Sequence, residues 1–161
     1  MSQDWQGLNQ VVSGGQTGVD RAGLDAALEL EIPIGGWCPK GRKAEDGRIS
    51  DRYSLRETAS GDYAVRTEWN VRDSDATLIL NLGALEGGTA LTEVFARQHQ
   101  RPCLIVALDQ HADAQLVIDW LRDNQVGVLN IAGPRESKRP GVYGAAREFL
   151  LELLVQTNIR P

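Results

Sequence analysis

The sequence predicts an α/β protein: a doubly wound, Rossmann-like domain of about five mainly parallel strands with helices on both faces. Short apolar runs alternate along the chain with segments whose apolar residues recur at helical spacing. Glycine-rich turns separate several of these runs from the helix that follows. The chain has 161 residues, the length of one ordinary domain, so we expect residues 1–161 to form a single domain.

The five predicted strands are residues 9–13, 32–34, 76–82, 103–108 and 126–132. The run 76–82 is nearly all apolar, as expected for a central parallel strand that is covered on both faces. The predicted helices are residues 19–30, 67–73, 89–100, 116–121 and 142–154. Because parallel neighbours need a crossover connection, alternating strands and helices favour one parallel sheet.

Composition restricts the classes of function. The chain is 42% hydrophobic and 24% charged, which is typical of globular proteins, and its net charge of -5 argues against a general nucleic-acid binder. Its apolar runs are too short to cross a membrane, and the first residues lack the pattern of a signal peptide, so we expect a cytoplasmic location. Cys38 and Cys103 form no CxxC pair, so no metal site is expected.

Residues 37–66 form a long polar segment without clear periodicity, and such an excursion within a compact domain is often functional. Its basic residues outnumber its acidic ones between positions 40 and 56, with Lys40 and Arg42 at the start. A second basic cluster, Arg135, Lys138 and Arg139, follows much later. Both stretches are compatible with solvated loops or with the site of an anionic ligand.

The first glycine-rich turn joins a predicted strand to a predicted helix. Glycines allow close approach of the backbone to a ligand, and a helix N-terminus attracts anions. The turn matches neither G-x-G-x-x-G nor the Walker A pattern, and it could also be a plain βα turn. We interpret it as a phosphate-binding loop, with the Thr17 hydroxyl as an additional donor. The residues concerned are Gly14, Gly15, Gln16, Thr17 and Gly18.

The second glycine-rich turn, Gly87, Gly88 and Thr89, also lies between a strand and a helix. Taken alone it is ordinary helix-capping chemistry. If the strands that precede the two turns are neighbours, both turns open onto one crevice at the carboxyl ends of the strands. We therefore predict that both turns bind one phosphate together, with Lys40, Arg42 and Arg135 contributing positive charge.

Two carboxylates are candidates for acid–base catalysis, although no catalytic residue is assigned. Asp20 lies in the first turn of its helix, where a carboxylate is also favourable without any function. Glu93 lies one turn beyond Thr89, where it could reach the same crevice or remain a solvated helix residue.

Four segments resemble the molybdenum-cofactor carrier family, and the similarity extends from about residue 10 to residue 143. They are residues 13–22, 36–58, 70–79 and 87–89. The resemblance implies a Rossmann-like fold shared with the lysine-decarboxylase-like group, which includes cytokinin-activating phosphoribohydrolases, and with DNA-processing proteins. It also implies homo-oligomers, and a site on the glycine turns for the molybdenum cofactor, a pterin that carries a phosphate.

The chain departs from the phosphoribohydrolase relatives, which have acidic residues two and three positions after the threonine of their glycine turn. Here Leu91 and Thr92 occupy those positions and Glu93 follows, which rotates the carboxylate by about 100° around the helix. The leading hypothesis is a carrier or sensor that binds the molybdenum cofactor or a nucleotide. The alternative is an N-glycosidic hydrolase of nucleoside monophosphates that uses Glu93 or Asp20.

Overall fold

A computed structural model describes residues 4–157 of the chain. The strands of that part are β1 (Gln10–Val12), β2 (Ile34–Gly35), β3 (Trp37–Cys38), β4 (Lys43–Ala44), β5 (Gly47–Arg48), β6 (Arg56–Glu57), β7 (Ala76–Asn81), β8 (Cys103–Ala107) and β9 (Val128–Ala132). Five of them form a parallel sheet in the order β2-β1-β9-β7-β8, as the sequence predicts.

The helices are α1 (Val19–Glu29), α2 (Tyr63–Arg72), α3 (Gly87–Gln98), α4 (Ala114–Asp123) and α5 (Val142–Thr157). The α5 helix packs against α1 and α4, whereas α2 packs against α3. Leu78 and Leu80 of β7 belong to the main core with α1, α4 and α5, while the intervening Ile79 does not. Since side chains alternate across a strand, the two helix groups lie on opposite faces of the sheet. Within residues 4–157, no helix has the length and apolar character needed to cross a bilayer.

The position of β9 corrects one expectation from the sequence. Val11 of β1 and Ala76 of β7 both pair with Leu129, so β9 lies between the strands that precede the two glycine turns. Those two strands are therefore not neighbours, and their adjacency is the condition on which the shared crevice was expected. As a result, the loop after β9 lies between the two turns at the carboxyl edge of the sheet.

Residues 37–62, called here the insert, are more regular than the sequence suggests. Strand β3 pairs with β6, and β4 pairs with β5 in a short hairpin. The insert packs on α1 through a small cluster of its own: Leu24, Cys38, Ala44, Ile49, Tyr53 and Leu55. The next helix, α2, starts at Tyr63 rather than at residue 67, because the Asp62 side chain caps it by accepting a hydrogen bond from the Ala64 N–H (2.9 Å).

The largest differences from the predicted strand boundaries are the starts of β2 and β9, each two residues later than expected. Strand β2 starts at Ile34, because the Ile32 N–H donates to Ala27 O at the end of α1 (2.8 Å) and Pro33 has no N–H to donate to a neighbour. Strand β9 starts at Val128 rather than at residue 126. The N–H groups of Gly127 and Val128 donate to the Asp75 carboxylate (3.0 and 2.8 Å), which fixes the turn before the strand.

Candidate ligand-binding site

A cavity of about 300 Å³ lies at the carboxyl ends of β1, β9 and β7. Its wall is formed by the turn after β1, the first turn of α1, one side of α2, the β7–α3 loop with the start of α3, and the β9–α5 loop. Ligands of doubly wound sheets bind at this edge, and the volume is at the lower end of the range for small-molecule sites. Both predicted glycine turns contribute to the wall.

Some residues of the first glycine turn line the cavity, and the others pack away from it. Gly14 and Gln16 line the cavity, whereas Gly15, Thr17 and Gly18 do not. A Cβ on Gly15, whose φ is +78°, would lie 2.8 Å from Leu55 Cδ1. A Cβ on Gly18 would collide with the backbone of the β9–α5 loop. Gly15 and Gly18 are therefore required by packing, whereas Gly14 lines the cavity with the Arg66 side chain in the position that a Cβ would need.

The Thr17 hydroxyl is directed away from the cavity. It donates to the Glu45 carboxylate and accepts a hydrogen bond from the Glu136 N–H (3.2 Å). Glu45 also accepts hydrogen bonds from the N–H (3.2 Å) and the hydroxyl of Ser137. Gln16 Oε1 in turn accepts from the Glu45 N–H (2.8 Å). This network joins the first glycine turn, the insert and the β9–α5 loop.

The second glycine turn faces the cavity more directly. Gly88 and Thr89 line it, and a Cβ on Gly88 would have no heavy atom within 4 Å. Gly87 has φ +57° and lies outside the wall. Glu86, at the N-cap of α3, makes no capping hydrogen bond with its side chain. The first N–H groups of α3 therefore lack a side-chain cap, which is the arrangement that attracts anions.

Positive charge predominates in the wall, although the protein is acidic overall. Arg66, Arg135, Lys138 and Arg139 line the cavity. The carboxylates of the wall are Asp20 and Glu86. Arg139 is fixed by hydrogen bonds to Leu82 O (2.7 Å) and Ala84 O (3.2 Å). Its Nη1 lies 3.0 Å from Glu86 Oε1. Lys138 has no ion pair within residues 4–157, so it is the most available cation of the wall.

Arg66 is a wall residue that the sequence reasoning missed. Its Nη1 donates to Gly14 O (3.2 Å) and lies 3.7 Å from Asp20 Oδ2, and its guanidinium lies 5.2 Å from the centre of the Tyr63 ring. The signal that could have identified it is a stripe along one side of α2, where positions 63, 66, 67 and 70 all line the cavity. That stripe is visible only when the helix starts at Tyr63.

The two basic residues predicted from the insert do not line the cavity. Lys40 is exposed. Arg42 is buried, and its guanidinium donates to four backbone carbonyls of the insert: those of Ile49 (3.1 Å), Leu55 (3.2 Å), Ser50 (2.8 Å) and Tyr53 (2.8 Å). Arg42 therefore holds the insert in its folded shape.

Arg135, predicted as a ligand contact, does line the cavity. Its Nε lies 3.6 Å from Glu45 Oε1, too far for a hydrogen bond. That Nε is buried and has no hydrogen-bond partner in the described part of the chain. Arg135 thus connects the Glu45 network to the cavity wall.

The structure separates the two candidate catalytic carboxylates. Asp20 lies in the wall, only 6% exposed, and its Oδ2 accepts a hydrogen bond from the Gln16 N–H (3.3 Å). Burial raises the pKa of Asp20, and the Arg66 charge offsets part of that shift. Glu93 lies outside the wall, 3.8 Å from Arg97.

Burial, with a smaller effect of the Glu93 charge, raises the pKa of the Cys103 thiol to about 11.

Comparison with known proteins identifies the family. A model of the circularly permutated YpsA SLOG family matches residues 11–154, most of the chain. The chain belongs to that family. A solved structure from Syntrophus aciditrophicus, described as a putative molybdenum carrier protein, superposes with a TM-score of 0.89 at 49% sequence identity. The match covers 92% of this chain and 96% of that one. Among curated proteins, none matches the chain.

This SLOG family assignment and the S. aciditrophicus structure confirm the resemblance to molybdenum carriers and the Rossmann-like fold. Both suggest a ligand-binding role.

Proposed function

We propose that this protein binds a phosphate-bearing small molecule in the cavity at the carboxyl edge of its sheet, as a carrier or a sensor. The phosphate contacts the N–H groups at the start of α3, beside Gly88 and Thr89. The cations of the wall neutralise its charge.

The observation that carries this proposal is the local excess of positive charge in a protein whose net charge is -5. Four cationic side chains and two carboxylates line the cavity, so the wall attracts an anion. An uncapped helix start without a Cβ at Gly88 allows that anion to approach backbone N–H groups. These features favour phosphate over a neutral ligand.

The candidate ligands are the molybdenum cofactor and, next, a nucleotide. The molybdenum cofactor would be cargo: Gly88, Thr89, Lys138 and Arg139 would hold its phosphate, and the rest of the wall its pterin. The 49% identity to the S. aciditrophicus protein supports this candidate. Nucleotides share the phosphate and the flat heterocycle. A homo-oligomeric assembly is part of the same proposal, because the family resemblance implies one.

Native mass spectrometry of protein taken directly from cells tests the identity of the ligand and the assembly together. We expect a co-purified small molecule with the mass of a phosphate ester, bound to an oligomer. Protein that is free of any small molecule, and that binds neither nucleotides nor pterin phosphates in calorimetry, would contradict the proposal.

The role of the cations is tested with a matched pair of lysine variants. Lys138→Gln removes the unpaired cation of the wall and should weaken binding of a phosphate ester roughly fivefold, more at low salt. Lys40→Gln removes an exposed lysine outside the wall and should leave the dissociation constant unchanged. Equal affinities of the two variants would exclude a contact between Lys138 and the ligand.

A second candidate function is hydrolysis of an N-glycosidic bond. The observation that favours it is Asp20, a wall carboxyl whose pKa is raised by burial, as is typical of general acids.

A further inference from the structure

Two buried amide side chains line the cavity in addition to its cations, and both come from strands of the parallel sheet. We infer that Asn81 and Asn130 accept hydrogen bonds from O–H or N–H donors on the part of the ligand beyond its phosphate. The ligand is thus a phosphate ester of a sugar or a heterocycle that carries such donors, rather than a simple anion. This inference rests on the proposed function.

Asn81 is the last residue of β7 and lines the cavity with only 4% of its surface exposed. Its Nδ2 donates to Gly83 O (2.9 Å) in the loop that follows. No donor to its Oδ1 is found within residues 4–157. The amide is therefore oriented by one hydrogen bond and keeps a free acceptor.

Asn130 repeats this arrangement on the neighbouring strand. It lies in β9, is 3% exposed and also lines the cavity. Its Nδ2 donates to the Thr77 hydroxyl of β7 (3.1 Å), the residue with which it pairs in the sheet. The described chain supplies no donor to its Oδ1 either. Two adjacent strands thus each offer one unpaired carbonyl oxygen to the same cavity.

Neither Oδ1 is among the buried side-chain atoms that lack a partner in the described chain, so each oxygen is accessible from the cavity and can accept a hydrogen bond there. Water supplies it while the cavity is empty of ligand, because the wall is polar and roomy enough for water. A ligand that displaces this water must replace its hydrogen bonds or lose affinity. Hydroxyl groups and ring N–H groups replace them, whereas an alkyl chain does not.

The chemistry of the wall also orients the ligand. Phosphate oxygens are acceptors, so they are unfavourable next to Asn81 Oδ1, Asn130 Oδ1 or the Asp20 carboxylate. They are favourable next to the cations and the N–H groups at the start of α3. The phosphate consequently lies toward α3, and the donor-bearing end lies toward β7 and β9.

Two variants test this inference: Asn81→Leu and Asn130→Leu, which remove the acceptors and keep a side chain that branches at Cγ. The control is Asn124→Leu, an exposed residue at the end of α4 that lies outside the cavity. The probes are inorganic phosphate, butyl phosphate, ribose 5-phosphate, guanosine monophosphate and a pterin phosphate, titrated by calorimetry or NMR. Thermal unfolding of each variant verifies that it is folded.

We expect each cavity variant to bind the donor-bearing esters about tenfold more weakly, while its affinity for inorganic phosphate and butyl phosphate changes less than about twofold. A loss with ribose 5-phosphate assigns the contact to sugar hydroxyls. A loss confined to guanosine monophosphate or the pterin phosphate assigns it to ring N–H groups. A loss of the same size for every probe, inorganic phosphate included, would overturn the inference, since the amides would then act only through the fold.

The unmodified protein supplies a second test that does not depend on the folding of any variant. It should bind at least one donor-bearing ester about tenfold more tightly than butyl phosphate. Equal affinity for all esters would overturn the inference and leave the proposed function standing. Absence of binding to every probe, including inorganic phosphate, would instead overturn the proposed function and the inference with it.

Discussion

Gly15 and Gly88 belong to similar turns, but the structure gives them different roles. A Cβ on Gly15 would meet Leu55 Cδ1 at 2.8 Å and Ile49 Cδ1 at 2.9 Å, and its φ of +78° already disfavours other residues. Gly88 has open space around it, and its φ is not positive. The absence of a side chain thus serves packing at Gly15 and access to the cavity at Gly88.

We predict opposite phenotypes for Gly15→Val and Gly88→Val. The first should lower the free energy of unfolding by about 2–4 kcal/mol, because the insert can no longer pack on the turn. The second should leave the unfolding midpoint nearly unchanged but weaken binding of a phosphate ester at least about tenfold, because the new side chain fills the approach to the α3 N–H groups. Urea unfolding and calorimetry of both variants check the pair. Unchanged ligand affinity of Gly88→Val would contradict the assignment.

Asp20 gives a prediction about pH. Burial raises its pKa above the ordinary value of 3.8, so ionisation costs more in the folded state than in the unfolded state. The contribution of Asp20 to stability is complete below pH 3.8 and is lost as the pH rises through the higher folded pKa. Asp20→Asn should therefore become more stable relative to the unmodified protein as the pH increases from 3.8, until the difference levels off. Urea unfolding across this range measures it, and a difference that is independent of pH would refute the linkage.

At the scale of elements, the insert depends on hydrogen bonds rather than on a large apolar core. The Arg42 guanidinium donates hydrogen bonds to four backbone carbonyls of the insert. The Glu45 carboxylate accepts hydrogen bonds from the first glycine turn and from the β9–α5 loop. Because Arg135 lies beside Glu45 and lines the cavity, the shape of the insert affects the site indirectly.

We predict that Arg42→Met lowers the free energy of unfolding by about 2–4 kcal/mol, because it leaves several buried carbonyls without a donor. Hydrogen exchange should accelerate mainly in residues 40–58, where those carbonyls lie, and much less in the parallel sheet. Lys40→Gln is the control, since this side chain is exposed, and its exchange pattern should match that of the unmodified protein. A uniform acceleration over the whole chain would show that Arg42 supports the entire fold.

The elements that could be predicted from the sequence are those whose stability comes from burial. Strand β7 is apolar at most of its positions and buried on both faces, so its pattern suffices to identify it. The insert could not be predicted, because its cluster joins residues as distant as Leu24 and Leu55. Four of its backbone carbonyls also depend on one buried side chain, that of Arg42. The start of α2 was missed because the helix presents polar residues to the cavity, which removes the usual apolar period.

Part of the candidate site could also be predicted from the sequence, namely its position at the glycine turns. Glycine turns between a strand and a helix predict that a ligand binds at the carboxyl edge of the sheet. The predicted site residues that do line the cavity are Gly14, Gln16, Gly88, Thr89 and Arg135. Sequence could not tell which side of each turn faces that edge, because this depends on what packs behind the turn. The contribution of α2 depends on tertiary packing in the same way.

For the whole molecule, the decisive feature is the order of the strands. Placing β9 between β1 and β7 brings the loop with Arg135, Lys138 and Arg139 between two glycine turns that precede it by many residues in the chain. The cations of the β9–α5 loop thereby lie near the N-termini of α1 and α3, which come from earlier parts of the sequence. An acidic chain in this way concentrates positive charge at one cavity.

Turnover of a bound nucleotide distinguishes an enzyme from a carrier. Hydrolysis of an N-glycosidic bond needs a carboxylate beside the sugar, to activate water or to stabilise the developing positive charge. Of the two candidates only Asp20 lies in the cavity wall, where it is already engaged by the Gln16 N–H and by Arg66, whereas Glu93 lies outside the wall. We therefore expect binding of nucleoside monophosphates or pterin phosphates with little or no turnover.

Release of free base from a panel of nucleoside monophosphates is the measurement, and two variants locate any chemistry that appears. If the protein is an enzyme, Asp20→Asn should lower kcat by about a hundredfold or more while the ligand still binds. Glu93→Gln is the matched control and should leave turnover unchanged, because its carboxylate lies beside Arg97 and outside the wall. Robust turnover that requires Asp20 would replace the carrier with a phosphoribohydrolase. Turnover that requires Glu93 would mean that the substrate binds on the side of α3 that carries Glu93, outside the cavity.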